Sequence, residues 1–359
     1  MKPPRSLDSL PPRGLSVPSE RPSGTDMTTS FPRRTLATAL AAITALSTLG
    51  LAGAAHAQSW PTKPIKLIVP YAAGGATDIT ARTIGEKLST RLGQPVLVDN
   101  RGGAGGVTGT DLALKSPADG HTLLVSLGTT MLINQYLYEK LPYNPQKDQA
   151  LITQIALAPV VLLVNPQLPV STAPELLAYI EKNKSKIAYG SWGMGSYAHL
   201  AGAWLSDKLK ADMNHVAYKG EAPMLQDLVG GQFQMAFASL QSARPYIESG
   251  RLKPLAVTGT QRMEALPKVS TMAEQGVKDE VFLVTGWLGM SAPAKTPPEV
   301  VARLGTEVQA VLALPEVRER IQQMGFLPVG SSPEQFSAQF KKDAPVWERV
   351  VKVSGAKLD

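Results

Sequence analysis

Apolar residues along this chain fall into short continuous runs and into helical spacing, and the two kinds of pattern alternate. The run Ile65 to Val69 reads as a buried strand. It breaks at Pro70, crosses the small-residue stretch Tyr71-Ala72-Ala73-Gly74-Gly75-Ala76-Thr77-Asp78, and enters a helix whose Ile79, Ile84 and Leu88 share one face. Pro95 to Asn100 is a second strand, followed by the loop Arg101 to Gly106 and a helix through Leu114. A third strand, His121 to Val125, ends in the small polar stretch Ser126-Leu127-Gly128-Thr129-Thr130. Strands alternating with helices at this spacing predict a parallel α/β sheet.

Leu157 to Val164 is a long apolar strand, and beyond it the pattern restarts. Helices are expected at Pro174 to Asn183, Tyr197 to Leu209, from the loop Lys219 to Pro223 on to Val229, and at Arg244 to Ser249, with strands at Ile187 to Gly190, Asn214 to Tyr218, Phe233 to Phe237 and Leu255 to Thr258. A second long apolar segment runs from Phe282 to Met290. The tail is helical in three pieces starting at Pro298, Pro315 and Pro333, where proline suits the first helical turn. Two α/β units joined by two apolar crossovers predict two lobes, with residues 58–160 and 288–359 in one and 161–287 in the other. The helical tail is expected to return to the first lobe. Loops leaving the carboxyl ends of strands on both sides would then face one cleft.

The stretch Tyr71 to Asp78 is the most informative of these loops. Gly74 and Gly75 leave the backbone uncovered, and Thr77 and Asp78 stand where a helix N-cap is wanted. The first helical N–H groups can then point at an anion. An ordinary strand-to-helix turn has the same local appearance.

Charge and composition narrow the classes. The 359 residues are 43% hydrophobic and 18% charged, with no cysteine, which excludes disulfides, thiolate metal sites and a cysteine nucleophile. The formal charge is +7, but six basic and three acidic side chains lie in residues 1–57, and the remainder carries 30 against 26, a net +4 without a dense basic run. Nucleic acid and membrane surfaces are therefore poor partners. From Met27 the chain reads as a secretory signal: Arg33 and Arg34, an apolar stretch from Leu36 to Ala52, and the A-x-A site Ala55-His56-Ala57. The mature chain would begin at Gln58. Residues 1–26, rich in Pro and Ser, read as disordered, which makes Met27 an alternative start.

Other chemistry finds little footing. Gly193-Met194-Gly195-Ser196-Tyr197-Ala198 fits the dinucleotide pattern G-x-G-x-x-A between a strand and a helix, yet no acidic residue ends the following strand. An anion or carboxylate at that helix start is the better reading. There is no G-x-S-x-G elbow, no H-E-x-x-H and no metal-ligating cluster. His121 and His199 read as solvated or capping residues. Trp192, Tyr71 and Trp287 are aromatic candidates for stacking on a flat ligand, or for filling the lobe interface. No catalytic residue, metal or cofactor is expected.

The motifs Val69-Pro70-Tyr71-Ala72-Ala73-Gly74-Gly75-Ala76-Thr77-Asp78, Val98 to Gly106, Asp119 to Leu124, Leu141-Pro142-Tyr143, Tyr189-Gly190-Ser191, His215 to Gly220 and Leu255 to Thr258 resemble those of Bug-type receptors. These are the periplasmic solute-binding proteins of tripartite tricarboxylate transporters. The resemblance covers Ser59 to Asp359. It implies an α/β, two-lobed type II periplasmic-binding-protein fold with the ligand cleft between the lobes. It implies a monomer that captures a small carboxylate and delivers it to a membrane permease; a ligand sensor for a signalling partner is the alternative. The ligand-binding residues it implies are Tyr71, Ala72, Ala73, Gly74, Gly75, Ala76, Thr77 and Asp78, with Ser126, Thr129 and Thr130, in the first lobe. In the second they are Ser191, Trp192, Gly195, Ser196, Lys219, Gly220 and Ala238. Two departures bear on the ligand. Phe237-Ala238-Ser239 lacks the acidic residue that amino-acid-binding relatives are expected to use, which argues against an amino acid. Trp192 and Met194 replace smaller or more polar residues, which favours an aromatic or apolar carboxylate.

Overall fold

The computed structural model describes residues Trp60 to Leu358; the expected signal segment lies outside the described residues. Strands β1 (Ile65–Val69), β2 (Val96–Asn100) and β3 (Thr122–Leu127) alternate with helices α1 (Ala76–Leu92) and α2 (Val107–Leu114). The three strands pair in parallel with β1 in the centre, Leu67 lying opposite both Val98 and Leu123. Leu67, Ile68 and Val69 are fully buried, as the strand's continuous apolar run requires when both faces are covered. A π-helical turn (Thr129–Ile133) and the short α3 (Asn134–Leu137) follow β3.

The expected strand from Leu157 to Val164 is two strands in two sheets. β4 (Gln149–Ala158) belongs to the first and β5 (Val161–Val164) to the second. Pro159 has no N–H to continue a ladder, so pairing ends there. The crossing is pinned by Val160, whose N–H donates to the Thr258 hydroxyl at 2.9 Å and whose carbonyl accepts the Thr258 N–H at 2.9 Å. The second sheet carries β6 (Ala188–Ser191), β7 (Asn214–Ala217), β8 (Met235–Ala238) and β9 (Lys253–Val257) in the order β7-β6-β8-β5-β9. Helices α4 (Ala173–Lys182), α5 (Tyr197–Leu209), α6 (Glu221–Val229) and α7 (Leu240–Glu248) connect them. Helix α7 starts four residues before the expected Arg244, because the Ser239 hydroxyl accepts the Ser242 N–H as its cap; Pro245 sits inside the helix.

The return crossing also departs from a single apolar segment. A short helix α8 (Glu280–Leu283) precedes β10 (Gly286–Pro293), which pairs with β3 and β4 in the first sheet. Gly286 and Trp287 therefore lie in the first sheet, two residues ahead of the expected boundary at 287/288. Neither sheet is wholly parallel. β10, β4 and the edge strand β11 (Leu327–Pro328) pair antiparallel in the first, and β5 is antiparallel to both neighbours in the second. The crossing strands come from the other sheet rather than through a helical crossover, so their direction is not constrained to be parallel.

The tail helices α9 (Pro298–Leu312), α10 (Pro315–Gln323) and α11 (Pro333–Ser354) start at the prolines that announced them. Ser332 and Gln335 close a capping box at the start of α11. α9 packs on α1 and β4 of the first sheet, whereas α11 lies against both β4 and α5. The tail thus does more than return to the first lobe. Trp347 of α11 meets Tyr197 of α5 edge-on at 5.7 Å, and the Tyr197 hydroxyl donates to the Val281 carbonyl at 2.6 Å.

Candidate functional site

The carboxyl ends of β1, β2 and β3 bring three loops together. The Arg101 N–H donates to the Val69 carbonyl at 2.8 Å, and Asn100 Nδ2 donates to the Tyr71 carbonyl at 3.2 Å. Ala72, Ala73, Gly74 and Gly75 are exposed, and Tyr71, Ala76 and Thr129 are half-buried. The N-cap of α1 is Gly75, not Thr77 or Asp78. Those two lie in the first turn and are buried, at 6% and 3% exposure. Asp78 reaches back instead: its Oδ2 accepts the Gly74 N–H at 2.8 Å and Arg82 Nε at 3.1 Å, while Arg82 Nη2 stands 3.0 Å from Oδ1. Burial alone would raise this carboxyl. The bonds from Arg82 and Gly74 outweigh it and hold Asp78 below the usual carboxylate range. Arg82 also donates to Asn100 Oδ1 at 2.9 Å. The charge of Asp78 is thus matched, and the start of α1 keeps its positive dipole end facing the loop.

Ser126 and Thr130 are fully buried, and their hydroxyls lie 2.6 Å apart. Ser126 is the fifth residue of β3 and not the start of a loop, and it donates to the Tyr71 hydroxyl at 3.2 Å. Burial pushes the Tyr71 phenol up, against hydrogen bonds with Ser126, Thr130 and Leu127. These hydroxyls hold the ring of Tyr71 in place. Helix α2 presses on the same corner through Gly109, where an added Cβ would stand 2.3 Å from the Arg101 carbonyl oxygen and 2.9 Å from Pro70 Cα. Both obstacles are backbone and neither can swing aside. Gly109→Ala is expected to cost about 2–3 kcal/mol, the upper part of the overpacking range, read as a lowered urea midpoint with unchanged slope. A loss below about 0.5 kcal/mol would show that α2 does not clamp this corner.

In the second sheet the ends of β6, β7 and β8 carry the corresponding loops. Ser191 is fully buried, with Oγ 2.7 Å from His215 Nε2 and donating to the Gly193 carbonyl at 3.1 Å. Ser196 caps α5, accepting the His199 N–H and donating to the Gly193 carbonyl at 2.6 Å. The Gly195 N–H donates to His199 Nδ1 at 3.1 Å, so part of the expected anion site at this helix start is used internally. His199 caps as expected but is buried rather than solvated, as is His121, whose Nε2 accepts the Thr62 N–H. Tyr189, His215 and His199 form a stack, with centroid spacings of 4.9 and 4.1 Å. Burial, with the neighbouring His199, pushes His215 down to about 4.

Trp192 is half-buried and Met194 is 45% exposed. Lys219 is exposed and Gly220 half-buried at the start of α6. Gly195 is buried against the first lobe and the C-terminus, an added Cβ standing 2.8 Å from Leu137 and 2.9 Å from Leu358. Two further candidate residues are fully buried. Ala238 is fully buried and paired with Val161, so it belongs to the core. Trp287 is 1% exposed, which fits the second of its two readings, a residue that fills the interior. Beside Phe237-Ala238-Ser239 stands Glu221, the first residue of α6, whose Oε1 accepts the Ser239 N–H at 2.8 Å and whose Oε2 accepts its hydroxyl at 2.5 Å.

The residues that sequence reasoning passed over are Arg82, Asn100, Gly109, His215 and Glu221. Arg82 was readable four positions after Asp78, the spacing of a helical ion pair. Asn100 and His215 act between neighbouring strands, Gly109 acts from helix α2, and Glu221 reaches from the end of β7 past β6 to the end of β8. Among the described residues no group of histidine and acidic side chains could hold a metal ion, and no helix is long and apolar enough to cross a membrane.

Two sheets joined by two crossing segments and a shared helix, with strand-end loops from each, define a two-lobed periplasmic binding protein. The chain belongs to the tripartite tricarboxylate transporter receptor family, whose model matches residues 80–355. It is 34% identical to BugT of Bordetella pertussis over 314 residues, 87% of this chain and 96% of that protein. An R. palustris protein solved with adipate superposes with a TM-score of 0.73 at 33% identity, covering 83% of this chain and 99% of that one. MatC from Rhodopseudomonas palustris, solved with bound malate, gives 0.68 at 32% identity over 81% and 100%. The protein is accordingly a solute-binding receptor and not an enzyme.

Proposed function

We propose that this receptor captures a small carboxylate between its lobes and delivers it, as a periplasmic monomer freed of residues 1–57, to the permease of a tripartite tricarboxylate transporter. The observation that carries the reading is the exposed loop Ala72 to Gly75 at the start of α1, where Asp78 is already neutralised by Arg82. A ligand carboxylate there meets helix N–H groups without an unmatched protein charge opposing it. The adipate and malate bound by structural neighbours support the ligand class. Trp192 and Met194 give the opposing wall an apolar surface that suits an aromatic or aliphatic body.

A thermal-shift screen against mono-, di- and tricarboxylates, aromatic acids and amino acids tests the reading. A ligand at about a hundred times its Kd is expected to add about 2.7 kcal/mol of stability. A flat response across the whole library would overturn it.

A further inference from the structure

The two strand-end clusters differ in one electrostatic respect. In the first lobe, Asp78 is held by both nitrogen arms of Arg82. In the second, Glu221 has no such partner. The ion pairs described for that lobe are Lys208–Asp279, Lys210–Asp207, Arg262–Glu274 and Glu280 with Arg349 of α11, and Glu221 is in none of them. Lys219 is exposed two residues earlier and pairs with neither Glu221 nor another acid among the described residues. Glu221 is itself half-buried.

Its position is fixed. Glu221 opens α6 at the end of β7 and reaches the end of β8, where Ser239 donates both its N–H and its hydroxyl. Ser239 in turn caps α7, so the carboxylate is tied to two helix starts and cannot swing away cheaply. Each oxygen accepts one bond from Ser239 and retains capacity for another. On the adjacent strand end the Tyr218 N–H donates to the Ser191 carbonyl at 2.9 Å, which brings this loop beside Trp192 and Gly193. An unmatched, preorganised carboxylate at this point attracts a cationic donor and repels a second carboxylate.

We propose that Glu221 is a specificity-determining residue of the cleft, selecting a ligand with a carboxylate at the first-lobe end and an ammonium at the second-lobe end over a dicarboxylate of equal length. The assignment rests on the receptor reading above. It makes the ligand class the ω-amino or otherwise cationic carboxylates.

The test is calorimetric titration of the receptor with adipate, 6-aminohexanoate and hexanoate, repeated for E221Q. The glutamine keeps an oxygen for the Ser239 N–H, and unchanged thermal melting of the free protein checks that the fold holds. The amino acid is expected to bind the wild type about tenfold or more tighter than adipate, and E221Q to abolish or invert that preference. Adipate binding as tightly as 6-aminohexanoate, or a preference that E221Q leaves unchanged, overturns the role of Glu221 while upholding carboxylate capture. Failure of all three probes in a protein that answers to no carboxylate in the thermal screen overturns both.

Discussion

Trp287→Ala is expected to lower stability by about 3–5 kcal/mol, the range for removing a buried aromatic side chain. Trp287 is 1% exposed at the start of β10, where the chain re-enters the first sheet. Its ring meets Phe336 edge-on at 5.0 Å, and its indole N–H donates to Asp343 Oδ2 at 3.1 Å. Alanine leaves a hole between β10 and α11 and removes one of the two bonds that hold a buried carboxylate. Trp287→Phe separates the two effects: it keeps much of the packing and is expected to cost about 1.5–3 kcal/mol through the lost charged hydrogen bond. Denaturant midpoints at neutral pH measure both. An alanine variant within about 1 kcal/mol of wild type would remove Trp287 from the set of residues that hold the lobes' shared helix in place.

Asp343→Asn is expected to stabilise the protein above pH 6, by at most about 3 kcal/mol, and to leave it unchanged below pH 4. Asp343 is 1% exposed on α11, at the wall of a cavity of about 560 Å³ that Gln154, Thr285 and Trp287 also line. Burial pushes its carboxyl up to about 6 from an ordinary 3.8, although Gln339, Trp287 and Lys342 pull it back in part. A folded pKa above the unfolded one means that the folded state binds the proton more tightly. This group's contribution is therefore fully present below pH 3.8 and is lost as pH rises through 6. The asparagine has no proton to lose and still offers an oxygen to the indole.

His215 acts in the other direction. Its folded value of about 4 lies below the ordinary 6.5, so its contribution is present above pH 6.5 and is lost as pH falls towards 4. In the wild type the two trends oppose each other between pH 4 and 6. D343N is expected to expose the histidine's acid sensitivity as a steeper fall on the acid side. Urea midpoints of both proteins from pH 4 to 8 decide the matter. Parallel profiles would show that Asp343 titrates alike in the folded and unfolded chains.

Much of this architecture follows from local patterns. β1 is buried because Ile65 to Val69 is a continuous apolar run, and α9, α10 and α11 begin at Pro298, Pro315 and Pro333. Tyr197 to Leu209 forms a helix with the bounds expected from the sequence. These signals act within one or two turns of chain, so they survive reading without neighbours. The family motifs, which also lie in continuous stretches, located the strand-end loops in both lobes.

What the sequence alone left open depends on residues far apart along the chain. Pro159 was visible, but the switch of sheets that it marks appears only when Val160 meets Thr258 across the crossing. Ala238 stood beside a loop and is buried, in a cluster with Met224, Leu225, Leu240 and Ala243 of the flanking helices. The sequence by itself determined that the chain builds two α/β units with glycine and hydroxyl loops at strand ends. The i,i+4 spacing of Asp78 and Arg82 was local, but the tertiary structure alone decided which groups of other strands meet these loops. Asn100 accepts from the Arg82 that neutralises Asp78 on one side, and Ser239 fixes an unmatched Glu221 on the other. Strand formation is a property of neighbouring residues. The electrostatics of a site are set by whichever groups the sheets bring within a few ångströms.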